Sequence, residues 1–91
     1  MPKLLKKELY PIGTVVILEG GNKPIMIYGR KAPLTEGDKT VIHDYVACLF
    51  PEGYLLKSLS YFFNHGRIEK VLHMGLVNDA EKAHKLELLS N

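Results

Sequence analysis

Apolar, β-branched runs cut by glycine- and proline-containing breaks fill the first three quarters of the chain, and a helical period follows only near its end. Pro11 and Gly13 punctuate the start, and Thr14-Val15-Val16-Ile17-Leu18-Glu19 then has the composition of a strand covered on both faces. Gly20-Gly21-Asn22 supplies the positive-φ positions of a tight connection, and Pro24-Ile25-Met26-Ile27-Tyr28-Gly29-Arg30 follows as a second strand. Residues 14–30 therefore predict a β-hairpin. Residues 31–39 predict a polar loop with a Glu36-Gly37-Asp38 turn near its end. Thr40 to Phe50 predicts a third strand, long enough to need a bend. Straight alternation places Val41, His43, Tyr45, Ala47 and Leu49 on one face, and Ile42, Asp44, Val46, Cys48 and Phe50 on the other. Neither face is cleanly apolar. A bulge near Asp44 would bring Ile42, Tyr45 and Ala47 inside together.

Pro51-Glu52-Gly53 ends that strand as a turn. Residues 54–63 fit two descriptions: Leu55, Leu56 and Leu59 have helical spacing, whereas Tyr61-Phe62-Phe63 prefers an extended form. Asn64 predicts the cap of a short helical turn over 65–70 that turns Ile68 inward. Lys70 to Gly75 predicts a further strand. Asn78-Asp79-Ala80-Glu81 has the spacing of a capping box, opening a helix over 79–90 with Ala83, Leu86 and Leu88 near one stripe and Lys82 and Lys85 outside it. Residues 1–9 predict a flexible N-terminus with at most a frayed helical turn. The fold class is α+β: a small curled antiparallel sheet or SH3-like barrel, with a short helical turn before the last strand and a C-terminal helix. An open four-stranded sheet backed by the helix is the nearest competitor.

With 91 residues, the chain is a single domain, 1–91, with a β-rich core over 13–77. Its 46% apolar and 24% charged residues exclude wholesale disorder. A formal charge of +2 is too small to imply nucleic acid or an anionic membrane by itself. One cysteine cannot form an intrachain disulfide. No run has the length of a signal peptide's apolar region, and none nears the roughly 18–20 residues needed to cross a bilayer. The expected location is the cytoplasm, with export by a signal-peptide-independent route left open.

Candidate chemistry is sparse. His43, Asp44, Cys48, His65, His73 and His84 are the available metal ligands, yet no local pair has ligand spacing, so no metal is expected. Cys48 lies in Val-Ala-Cys-Leu-Phe, where a thiol behaves as a small hydrophobe, and no neighbour in sequence would activate it. Gly20-Gly21-Asn22 lacks the lysine and hydroxyl residue of a phosphate loop and precedes a strand. Tyr28, Arg30 and Lys31, with Lys23, could form the aromatic and basic strip that small β-barrels present to single strands, although such strips are more often solvated faces. Tyr45, Phe50, Tyr54, Tyr61, Phe62 and Phe63 are more than so small a core needs. Some of them, exposed around Pro51-Glu52-Gly53 and Asn64-His65, would make a protein-contact patch.

Several phrases carry a resemblance in combination. Leu9-Tyr10-Pro11-Ile12-Gly13-Thr14-Val15-Val16 leads to Gly20-Gly21 and to Met26-Ile27-Tyr28-Gly29-Arg30. Asp44-Tyr45-Val46-Ala47-Cys48-Leu49-Phe50-Pro51-Glu52-Gly53 and Tyr61-Phe62-Phe63-Asn64-His65 follow in order. Over about residues 9–77 the chain resembles a family of small uncharacterised proteins of Gram-positive bacteria, a domain of unknown function encoded in type VII secretion loci beside LXG toxins. It departs from that pattern at Ala47, where the family usually has glycine, and at Gly66, where it usually has an acidic residue. The strongly acidic tail common in the family is also missing here.

The resemblance brings no catalytic residue with it. It implies an accessory protein acting on a toxin or its secretion machinery, without revealing the contact surface. Together with the absent catalytic constellation and the surplus aromatics, it predicts a non-enzymatic interaction module, a cytoplasmic adaptor or chaperone-like accessory for an LXG effector. Tyr45, Phe50, Glu52, Tyr61, Asn64 and His65 are the residues expected to line or shape its contact face. The expected partner is the effector or a secretion component; no cofactor and no membrane insertion are expected, and homo-oligomers are compatible with the sequence. Two alternatives stand beside it: an immunity protein that blocks the toxin domain, and a single-strand nucleic-acid binder using Tyr28, Arg30 and Lys31.

Overall fold

A computed structural model describes residues 9–90. The expected frayed helical turn at the N-terminus lies outside these residues, apart from Leu9, which is buried in the core. Five strands form one antiparallel sheet: β1 (Val15–Leu18), β2 (Ile25–Glu36), β3 (Lys39–Leu49), β4 (Tyr61–Phe63) and β5 (Ile68–His73). Their spatial order is β4-β3-β2-β1-β5, so the last strand returns to pair with the first. One helix, α1 (Asp79–Leu89), follows, and 3₁₀ turns stand at Lys57–Leu59 and His65–Arg67. This is the curled α+β arrangement, with five strands in place of the competing four.

The core is where one face of the curl closes on itself. Leu9, Val16, Ile25, Ile27, Tyr45, Ala47 and Phe63 form its buried cluster, with Leu18, Leu49, Ile68, Val71 and Leu88 packed around it. Cys48 is also buried, consistent with its apolar strand context. The hairpin over 14–30 forms as its composition predicts, with Val15 opposite Met26 and Val16 opposite Ile25.

The polar loop expected over 31–39 is instead the distal half of a long ribbon. β2 runs on to Glu36, and Glu36 pairs with Lys39 around Gly37-Asp38, where Gly37 has φ 66°. A two-residue loop of this kind needs positive φ, and the Thr35 and Thr40 hydroxyls bond across it at 2.7 Å. Polar composition misleads here because the ribbon lies mostly in solvent, so its strands have no apolar face to show.

The bend in β3 comes from its partner. The pairing slips between Ile27 and Gly29, which leaves Tyr28 as the extra residue, and Lys31 adopts φ 50° opposite the Asp44 region. Tyr45 and Ala47 point inward as expected. Ile42 faces the helix side beside Leu88 yet stays 61% exposed, because the ribbon has left the core by that point.

Helix α1 departs from its expected face. Asn78 accepts the Glu81 N–H at 2.9 Å, as an N-cap should. The Glu81 carboxylate, however, turns to Arg30 rather than back to the cap. The side chains turned toward the sheet are Glu81, Lys85 and Leu88, whereas Ala83 is exposed and Leu86 is 67% exposed. An ion pair, not an apolar stripe, sets the helix's rotation.

Candidate functional site

Two groups of residues form the candidate site, one polar and one apolar. The polar group stitches β3 to the turn after β4. The Tyr45 hydroxyl accepts the Tyr10 N–H at 3.0 Å and meets Nδ1 of His65 at 2.6 Å. The Asp44 carboxylate accepts the His65 N–H at 2.9 Å, and the Asn64 amide oxygen accepts the Asp44 N–H at 3.0 Å. Asn64 therefore caps a strand, not the 3₁₀ turn it precedes, where it makes no side-chain cap. The Lys31 ammonium stands 3.8 Å from Asp44. Burial pushes the Tyr45 phenol above its ordinary value, against the opposing pull of the Tyr10 N–H. Lys31, Ile42, Asp44, Asn64, His65, Gly66 and Leu88 line a cleft of about 640 Å³ beside this network.

The apolar group occupies the connection from β3 to β4. Phe50 is 43% exposed, Tyr54 56%, Leu55 54%, Leu56 59% and Tyr61 42%. The segment is held at both ends. Tyr54 meets the Tyr28 ring edge-on at 5.5 Å, and the Tyr28 hydroxyl bonds Ser60 at 2.7 Å. At the other end the Phe50 N–H donates to the Pro24 carbonyl at 3.0 Å. Glu52 pairs with Lys23 at 3.0 Å beside Phe50, and that hydrogen bond holds its carboxyl below the ordinary range. Phe50 also edges a second cleft of about 540 Å³ with Met26, Leu72 and His73.

The residues expected to share one contact face thus divide. Phe50, Glu52 and Tyr61 belong to the apolar segment. Asn64 and His65 belong to the polar cleft. Tyr45 is fully buried and its hydroxyl meets His65, so it shapes a site without lining one. The single-strand alternative loses its central cation: the Arg30 side chain is 3% exposed and held by Glu81 at 2.9 Å. Lys31 faces the acidic Asp44 and Lys23 faces Glu52, which leaves Tyr28 without the basic strip expected around it. Among the described residues, no group of three or more His, Cys, Asp or Glu side chains is placed to hold a metal ion. No helix among them is long and apolar enough to cross a membrane.

Sequence reasoning missed Thr14 and Gly75. The Thr14 hydroxyl donates to the Pro11 carbonyl at 2.7 Å and accepts the Gly75 N–H at 3.0 Å, tying the chain after β5 to the start of β1. A side chain at Gly75 would strike the Ile12 carbonyl. A Thr-to-Gly contact across 61 positions leaves no periodic trace.

A family model described as a domain of unknown function (DUF4176) matches residues 9–84, from the first core leucine into the helix. No curated protein and no solved structure matches the chain.

Proposed function

The chain belongs to the DUF4176 family, and from that premise we propose that it is a non-enzymatic protein-interaction module. The observation that carries this reading is the run of large apolar side chains left exposed between Phe50 and Tyr61, in a segment anchored at both ends. Exposing several such side chains together costs solubility, and a clustered apolar patch rimmed by polar residues is the usual mark of a protein contact. Lys23, Glu52 and Ser60 supply such a rim.

In its finer form the proposal follows the resemblance of the Leu9–Val16, Asp44–Gly53 and Tyr61–His65 phrases to proteins of type VII secretion loci. The chain is then a cytoplasmic adaptor or chaperone-like accessory that holds an LXG effector. Anchored aromatic and leucine side chains suit that task, because they cover an apolar face of the effector at low entropic cost.

Co-expression with an LXG effector's N-terminal region, followed by affinity capture of the tagged chain, tests this. Co-purification that is lost in the double variant Tyr54→Asp/Leu55→Asp supports the adaptor reading. Capture of the C-terminal toxin domain instead, with rescue of growth, would make the chain an inhibitor. Capture of neither would remove the effector as partner.

A further inference from the structure

The ribbon formed by the distal halves of β2 and β3 has two free edges, and they are not alike. In an antiparallel pair, successive residues turn their N–H and C=O groups alternately toward the partner and away from it. Glu36 and Lys39 close the two-residue loop as a facing pair, so Thr40, Ile42 and Asp44 on β3, and Thr35, Pro33 and Lys31 on β2, turn outward. The other end of the ribbon agrees with this assignment, since the Asp44 N–H does point outward and is taken by Asn64.

On the β2 side the edge is blunted. Pro33 has no N–H to offer, and Lys31 breaks the extended conformation at φ 50°. Both are devices that stop strand addition. On the β3 side nothing comparable occurs. β4 pairs with β3 from Tyr45 to Ala47, so Thr40 and Ile42 lie on an edge that no strand among the described residues covers. Val41 and Ile42, 53% and 61% exposed, give that edge adjacent β-branched side chains.

We propose that the β3 edge from Lys39 to His43 docks against the same edge of a second copy of this chain, making a two-fold symmetric dimer through an antiparallel β3–β3 pair. The ends of the edge select the occupant. A strand laid beside it meets Asn64 and β4 at one end, so the visitor must stop there. A hairpin arm that turns at Gly37-Asp38 stops at that point. With Val41 facing Val41 on the two-fold axis, Lys39 of one copy lies opposite His43 of the other. Thr40 then faces Ile42, and both outward-turned residues of each copy find outward-turned partners, giving about four new backbone hydrogen bonds. Moving the axis to Ile42 would place Thr40 opposite Asp44, whose N–H is already engaged by Asn64. Only a short ribbon is buried, so the dimer is a weak one, with dissociation in the micromolar range or above.

Sedimentation velocity of the full chain from micromolar to near-millimolar concentration reads the dimer. Thr40→Pro removes one outward N–H and leaves the β2–β3 backbone ladder in place, while also removing the Thr35–Thr40 hydroxyl bond. Ile42→Lys, which places a charge on the edge and keeps that bond, is therefore the cleaner variant. Each is expected to weaken dimerisation by about ten-fold or more, while Leu86→Lys on the exposed side of α1 leaves it unchanged. Hydrogen exchange on the unaltered chain is the second readout: the Thr40 and Ile42 amides should slow as concentration rises. A chain that stays monomeric to the highest concentration overturns the proposal. So does a dimer indifferent to Ile42→Lys whose Thr40 and Ile42 amides exchange at a constant rate.

Discussion

Tyr45 shows how one side chain organises the polar end of the molecule. Its ring belongs to the core, and its hydroxyl satisfies both the Tyr10 N–H and His65. Tyr45→Phe leaves the Tyr10 N–H without that acceptor, and the expected loss is about 1–3 kcal/mol in urea unfolding. The pH dependence has a definite sign. Because burial raises the folded-state value of a phenol whose ordinary value is 10.0, the stabilisation is fully present below that pH and is lost as pH rises beyond it. Stability should fall above pH 10.0 in the native chain and fall less steeply in the phenylalanine variant. Gly75→Ala tests a different kind of constraint. The added methyl meets the Ile12 carbonyl, and relieving that clash by moving backbone should cost about 1–3 kcal/mol. An alanine variant as stable as the native chain would show that the crossing is loose. Of these positions, the sequence marks Tyr45 as the one large aromatic inside an apolar strand, but nothing around Gly75 signals its contact with Ile12.

Among the elements, α1 and the ribbon show why part of the fold was legible and part was not. β1, the first half of β2 and the second half of β3 pack on the core, so their β-branched and aromatic composition announces them. The ribbon tip is exposed and carries the polar residues of a loop. Its strand character rests on the Gly37-Asp38 turn and the Thr35–Thr40 pair, which are local details inside a polar stretch. Helix α1 was legible in extent, through Asn78 and Glu81, but not in facing. Arg30 and Glu81 are 51 positions apart, and their pairing at 2.9 Å overrides the leucine stripe. Breaking one partner of a buried pair strands the other, and Glu81→Ala is expected to cost about 3–5 kcal/mol. The loss should appear as faster hydrogen exchange over Asp79–Leu89 than in the sheet. Replacing both partners, as Arg30→Met with Glu81→Leu, should recover most of it; if it does not, the pair is doing more than docking the helix.

At the scale of the whole molecule, the sheet's two ends carry different surfaces. The ribbon presents an open backbone edge, the β3–β4 connection presents side chains, and Arg30 is buried against Glu81. The clustering of aromatics between Tyr45 and Phe63 is visible in the sequence, and it predicts a contact surface. Which aromatics are exposed is not visible in the sequence, because Tyr61 shares a strand face with the buried Phe63 and Tyr54 lies in the connection before β4. The proposal that the exposed run from Phe50 to Tyr61 is the partner-binding surface is tested by calorimetric titration of the purified chain with an LXG effector's N-terminal region, repeated with Tyr54→Asp/Leu55→Asp and with the polar-cleft variant Asn64→Ala. Binding is expected to weaken by about 100-fold or more in the Tyr54/Leu55 variant and to be little changed by Asn64→Ala. Binding that survives the first substitution and is lost with the second would contradict it.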